Sequence, residues 1–272
     1  MRTRMLKYII TTAALMAAVP VFGQGRGGPQ VTGPAPKTQD GKPDFSGLWQ
    51  RPYTPDMSMT ATDLNGKAYP LENPAADTGK AKGGGRGPRL LPYTEKGLAN
   101  WKSYTPDQGD YTGACLPFGL MRSMNSPDPI QIMQSKEYLS LLYEQNTWFK
   151  VFPLDGRAHD TKKTSTWFGD SIGHWEGDTL VVKTTNFRSE QSFRGTSENA
   201  VITERFTRAA TDQIVYSFTV DDPTSFTAKF TAELPFTAVN SNVYEYACHE
   251  GNYALPAILA GARAEEKKKS AQ

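Results

Sequence analysis

From Ile130 to about residue 248 the chain reads as one β-strand after another with short turns between, and no other feature limits the fold as strongly. Ile130–Gln134 and 138–144 read as one hairpin, and 147–153 as the next strand. Further strands are expected at Thr179–Thr185, 200–208, 213–220, 226–234 and 242–248. Ile214, Tyr216, Phe218 and Val220 share one face of their strand. In the next, Phe226, Ala228, Phe230, Ala232 and Leu234 alternate with Thr227, Lys229, Thr231 and Glu233. Successive strand side chains point to opposite faces, so these segments have one dry and one wet side. Such a run predicts a mainly β fold, an antiparallel β-barrel or barrel-like meander, as a single domain over residues 43–253. Helices are expected only at the margins. Thr94 can cap a short one reaching to about Tyr104, with Leu98 and Trp101 on its buried face. Residues 254–272 have the composition of a helix that frays into Lys267-Lys268-Lys269.

The segment ahead of the barrel speaks to compartment. Arg2, Arg4 and Lys7 precede an apolar run from Tyr8 to Val21, which is short for a membrane span and has the form of a secretory signal peptide. Cleavage is expected after Gly23, giving a signal over 1–23 and an exported, periplasmic or extracellular chain with no stable membrane anchor. An uncleaved anchor is the alternative. Residues 24–42, rich in Gly, Pro, Gln and Lys, read as a disordered leader. The glycines at 83–85 and 87 read as part of a surface loop over 73–90, since the Lys-Ser/Thr ending of a phosphate-binding loop is missing. A formal net charge of +2 leaves no basic face for nucleic acid, so the expected partner is a small molecule.

Cys115 and Cys248 are the two cysteines of the chain. In an exported protein they most simply form one disulfide, which would pin the irregular, Gly- and Pro-punctuated region 105–129. Two separate thiols are the alternative.

Candidate chemistry centres on residues 169–182, where Asp170, His174, Trp175 and Glu176 lie among Gly169, Gly173 and Gly177. The stretch reads as an acid-rich glycine turn at the mouth of the strand Thr179–Thr185, a place where binding groups are often held. The three histidines, His159, His174 and His249, all stand near acids. No close His-His spacing supports a metal site, so neither metal nor cofactor is expected. General acid–base work fits better: His159 with Asp155 or Asp160, and His174 with Glu176 and Asp170, have the required residue types. Gly169-Asp170-Ser171-Ile172-Gly173 matches the letters of a nucleophile elbow, but the strand-before, helix-after context fails. Asp155-Gly156 is a strong hairpin signal, and Arg157 beside it can clamp a carboxylate. Of Glu204 and Arg205, adjacent in a strand, one must face inward and would need a partner there. Trp148, Trp167, Trp175, Tyr244 and Tyr246 can line a pocket or fill the core.

Gly47-Leu48-Trp49, a glycine two residues before a tryptophan in the first strand, resembles the opening of lipocalin-like barrels, whose tryptophan closes one barrel end. Over most of residues 40–253 the chain also resembles a group of exported bacterial hypothetical proteins without an assigned activity. The resemblance is carried by the stretch Gly41 to Trp49, Cys115-Leu116-Pro117, Asp155-Gly156-Arg157 with His159, and Gly173 to Val182. Thr203-Glu204-Arg205-Phe206, Asp222-Pro223 and the ending with Cys248, Glu250 and Asn252 complete it. The group's pattern often has a histidine where this chain has Asp170 and an arginine where it has His174. That departure moves the expected catalytic weight to His159, Asp155 and Glu250. The resulting expectation is an exported hydrolase or lyase acting on a small organic or carbohydrate-derived substrate. His159 would be the general acid or base, oriented by Asp155, with Glu250 or Glu176 as second proton carrier. Arg157, Trp167, Trp175, Asp170, Tyr246 and Asn252 would position the substrate. The alternative is a non-catalytic periplasmic binding protein for a hydrophobic or aromatic ligand.

Overall fold

A computed structural model describes residues 33–51, 57–72, 88–103, 116–145, 148–160, 162–189, 193–247, 250 and 254–271. Nine strands form one antiparallel sheet that curls into a nearly closed barrel. They are β1 (Gly47–Gln50), β2 (Ile130–Gln134), β3 (Tyr138–Tyr143), β4 (Phe149–Pro153) and β5 (Asp170–Glu176). β6 (Thr179–Thr185), β7 (Val201–Ala210), β8 (Gln213–Asp221) and β9 (Phe230–Ala238) follow. The helices among the described residues are α1 (Glu95–Ser103), α2 (Leu120–Met124) and α3 (Ala254–Ser270), with a 3-10 turn at Met57–Thr60. Thr94 caps α1 as expected: its Oγ1 accepts from the Gly97 N–H at 3.0 Å.

The order β4-β3-β2-β1-β9-β8-β7-β6-β5 is a meander in which β9 returns to pair with β1. Because the strand number is odd and every paired neighbour is antiparallel, β4 and β5 at the two ends run in the same direction. An antiparallel ladder cannot close there, and parallel neighbours need a long crossover between them. The described residues between β4 and β5, 154–160 and 162–169, belong to that crossover. They turn back along β5, where the Gly156 N–H donates to Gly173 O at 2.9 Å. Gly173 is required at this seam: a Cβ on it would stand 2.9 Å from Leu154 Cδ2 and 3.3 Å from Phe152 Cε2.

Several expectations are corrected. The 169–177 stretch is mostly strand β5, not a turn, and only Gly177-Asp178 turns the chain into β6. Its alternation is hidden in sequence because two inward positions, Ser171 and Gly173, are small where the crossover packs close. Asp155-Gly156 does not join a hairpin, since β4 and β5 are not ladder partners. Residues 241–247 hold no strand, because β9 already occupies the free edge of β1. Within the irregular region 105–129, residues 120–124 form α2.

The inward side chains of the barrel are largely aromatic. Tyr216 stacks on Phe236 at 5.1 Å between ring centroids and meets Phe206 at 5.0 Å. Each such side chain, fully buried, contributes about 1.5–3 kcal/mol. Trp49 closes one end: its Nε1 donates to Phe45 O at 2.9 Å, and the Arg208 guanidinium lies 4.3 Å from its ring centroid. Residues 33–46 run over this end, with Thr211 Oγ1 donating to Pro34 O at 2.9 Å and Lys42 lying 5.4 Å from the Trp175 ring centroid. α2 sets Leu120, Met121 and Met124 into the core.

Candidate functional site

The interior of the barrel is not uniformly apolar. Burial alternates along β7, which turns Glu204 inward and leaves it fully buried, while Arg205 faces out. Of that adjacent pair the acid is the inward one, and it has found a partner. The same alternation on β4 buries Lys150, whose Nζ lies 2.6 Å from Glu204 Oε2. Thr184 Oγ1 on β6 stands 3.4 Å from the same carboxylate oxygen and 3.5 Å from the Lys150 amine. Ser171 Oγ on β5 joins it at 2.7 Å, and Tyr216 OH on β8 donates to Glu204 Oε1 at 3.2 Å. Side chains from three strands therefore converge on the β7 carboxylate, and Ser171 on a fourth joins through Thr184. They also join β4 to β6 and β7 from inside, across the seam the ladder leaves unpaired.

Two further groups complete this polar centre. Tyr143 on β3 is buried, with its OH donating to Met124 Sδ at 3.4 Å. Arg51 follows β1 at the inward position after Trp49 and is only 4 % exposed. Burial, reinforced by the Glu204 charge, pushes the phenols of Tyr143 and Tyr216 well above their ordinary pKa, so both stay neutral donors at pH 7. Burial pulls the Lys150 ammonium below its usual value, against the opposing effect of Glu204. Burial likewise brings Arg51 down to about 10, still cationic at neutral pH.

A second cluster lies outside the barrel on the seam. Even-numbered residues of β5 face outward, and the crossover covers the first of them. Asp170, 5 % exposed at its side chain, accepts from Lys163 Nζ and lies 3.0 Å from His159 Nδ1. Burial raises the Asp170 pKa, but the hydrogen bonds from Lys163 and His159 and their charges outweigh it, and the net shift is downward. His159 thus has a carboxylate partner, and it is Asp170, not Asp155. Asp155 is committed to Arg157, whose Nε lies 2.9 Å from both carboxylate oxygens in an exposed fork. Hydrogen bonds from Arg157 hold Asp155 down to about 2.

The remaining expected residues spread along the surface. His174 Nε2 is 3.3 Å from Glu176 Oε1, and Glu176 Oε2 accepts from Arg205 at 2.8 Å, all three about half exposed. Trp175 stacks on Phe45 at 5.9 Å, which makes it part of the barrel end. Trp167 lies under the Arg188 guanidinium at 5.3 Å. Tyr246 is exposed, as is Glu250, so neither faces the interior. Cys115, Cys248, His249 and Asn252 lie outside the described residues. Among the described residues no group of three or more His, Cys, Asp and Glu side chains could hold a metal ion, and no helix is long and apolar enough to cross a membrane.

Sequence reasoning passed over Arg51, Tyr143 and Lys150. For Arg51 the signal was present: alternation from the buried Trp49 places residue 51 on the inward face. Lys150 and Glu204 pair from strands that are not neighbours, so no local pattern announces them. No family model, curated protein or solved structure matches this chain.

Proposed function

We propose that this chain is an exported small-molecule-binding barrel that receives a largely aromatic or hydrophobic ligand in its interior. The observation that carries the reading is the burial of Arg51, Tyr143, Lys150, Glu204 and Tyr216, with Ser171 and Thr184, inside a wall otherwise apolar and rich in Phe, Leu and Ile. A few polar groups converging in an apolar enclosure are the usual composition of a ligand site. Burying an ion pair is costly, and hydrophobic residues of like volume often serve stability as well, so its place in the core points to a further role. The export signal over 1–23 and a Cys115–Cys248 disulfide belong to the same proposal. A thermal-shift screen of sugars, phenolics and small acids tests it: a ligand that binds N raises the melting temperature by mass action. Hits must lose their effect in Tyr143→Phe/Tyr216→Phe. A screen with no hit counts against the reading.

One observation favours a second reading, that of an acid–base enzyme of the hydrolase or lyase type: the carboxylate-oriented imidazole of His159 on Asp170. Turnover of a screened compound, abolished in His159→Ala with binding retained, is its test.

A further inference from the structure

We infer that the interior site takes a small organic carboxylate, with Arg51 as the group that holds its head. The inference rests on the interior-binding reading above and names the ligand class.

The centre carries two cations, Arg51 and Lys150, against one carboxylate. Glu204 is fully engaged: Oε2 faces Lys150 and Thr184, and Oε1 accepts from Tyr216. Lys150 is satisfied by the same carboxylate. Arg51 has no such partner. Its Nη1 and Nη2 are both buried and without a hydrogen-bond partner among the described residues. Asp128 raises its pKa only through space and makes no hydrogen bond to it. A buried guanidinium left unpaired is costly, because its N–H donors have given up water for nothing in return.

The position of Arg51 fits a ligand better than a structural strut. It follows β1 at an inward position and is almost fully buried, on the side of the wall that carries Tyr143 and Tyr216. The Tyr143 hydroxyl donates its hydrogen bond to the Met124 thioether, a weak acceptor, and a carboxylate oxygen would be the better one. The planar guanidinium fork matches a carboxylate in a two-point, charge-assisted contact. A single surplus positive charge suits a monoanion, and the stacked Tyr143–Phe168 pair at 5.6 Å offers a surface for an apolar or aromatic remainder.

The test is calorimetric titration of the purified protein at pH 7 with three acids, cinnamate, hydrocinnamate and octanoate, and their primary amides. Each amide has nearly the shape of its acid and no charge. At least one acid should bind at least tenfold more tightly than its amide. In Arg51→Met the preference should fall to near unity while the amide binds as before. Arg51→Lys, which keeps the charge and loses the fork, should fall between. The acid-to-amide ratio in the unmodified protein decides the matter even if neither variant folds. Amides that bind as well as their acids, or an Arg51→Met protein that keeps the preference, overturn the inference and leave interior binding standing. Failure of acids and amides alike to bind overturns both.

Discussion

Lys150 and Glu204 meet inside the barrel, Nζ to Oε2 at 2.6 Å, although β5 and β6 separate their strands in the wall. The pair crosses the seam where an odd number of strands denies the sheet its last ladder. Removing one partner leaves a buried charge uncompensated, so Lys150→Met should cost about 3–5 kcal/mol. Lys150→Met with Glu204→Gln should recover most of that loss. Urea unfolding of the two single variants and the double variant measures the coupling. A double variant no more stable than Lys150→Met would show that the ion pair is not what the seam depends on.

Asp170 supplies a pH signature. Its folded pKa lies below its unfolded value of about 3.9, so its pairing with Lys163 and His159 contributes stability that is present above that value and lost as pH falls through the folded pKa. Asp170→Asn should therefore cost about 1–3 kcal/mol at pH 6. The gap between variant and wild type should narrow only below about pH 4, as the acid protonates. Thermal unfolding from pH 3 to 7 follows both curves. A gap unchanged at pH 3 would remove Asp170 from the account.

Gly97→Ala reverses a helix rule. Alanine is favoured over glycine in a helix by about 1 kcal/mol. In α1, however, a Cβ at residue 97 would stand 2.0 Å from the backbone oxygen of Ser225. The variant should be destabilised by about 1–3 kcal/mol through overpacking, despite its better propensity. A gain in melting temperature would mean that α1 does not dock on the Ser225 turn as described.

The barrel itself was readable from alternation, and so were the capped α1 and the fact that one of Glu204 and Arg205 must face inward; which of the two does so was not. Each of these rests on a local pattern of period two or on a single capping residue. β5 was not readable, because the crossover forces small residues onto its inner face and leaves its outer face looking like a polar turn. The site shifted for a similar reason. His, Asp and Arg on the crossover drew attention as acid–base chemistry, yet most of them pair among themselves at the surface. The interior charges come from strands far apart in sequence, and only closure of the barrel brings them together.

The proposed Cys115–Cys248 bridge would leave no titratable thiol in the protein purified without reductant. The two residues are about 130 positions apart. On the chain-entropy model such a loop contributes roughly 5 kcal/mol. Reduction should lower the melting temperature clearly. Two thiols titrating in the native or denatured protein would exclude the bridge.

The central claim is that ligand enters the barrel, and methionine methyl resonances report this directly. Met124 Sδ lies 3.4 Å from Tyr143 OH in the polar centre, whereas Met133 is half exposed on the outer face of β2. The account predicts that methyl-labelled protein titrated with the tightest acid of the cinnamate and octanoate set will shift the Met124 signal and leave Met133 in place. A shift confined to Met133, or a saturating ligand that leaves Met124 unmoved, would contradict it.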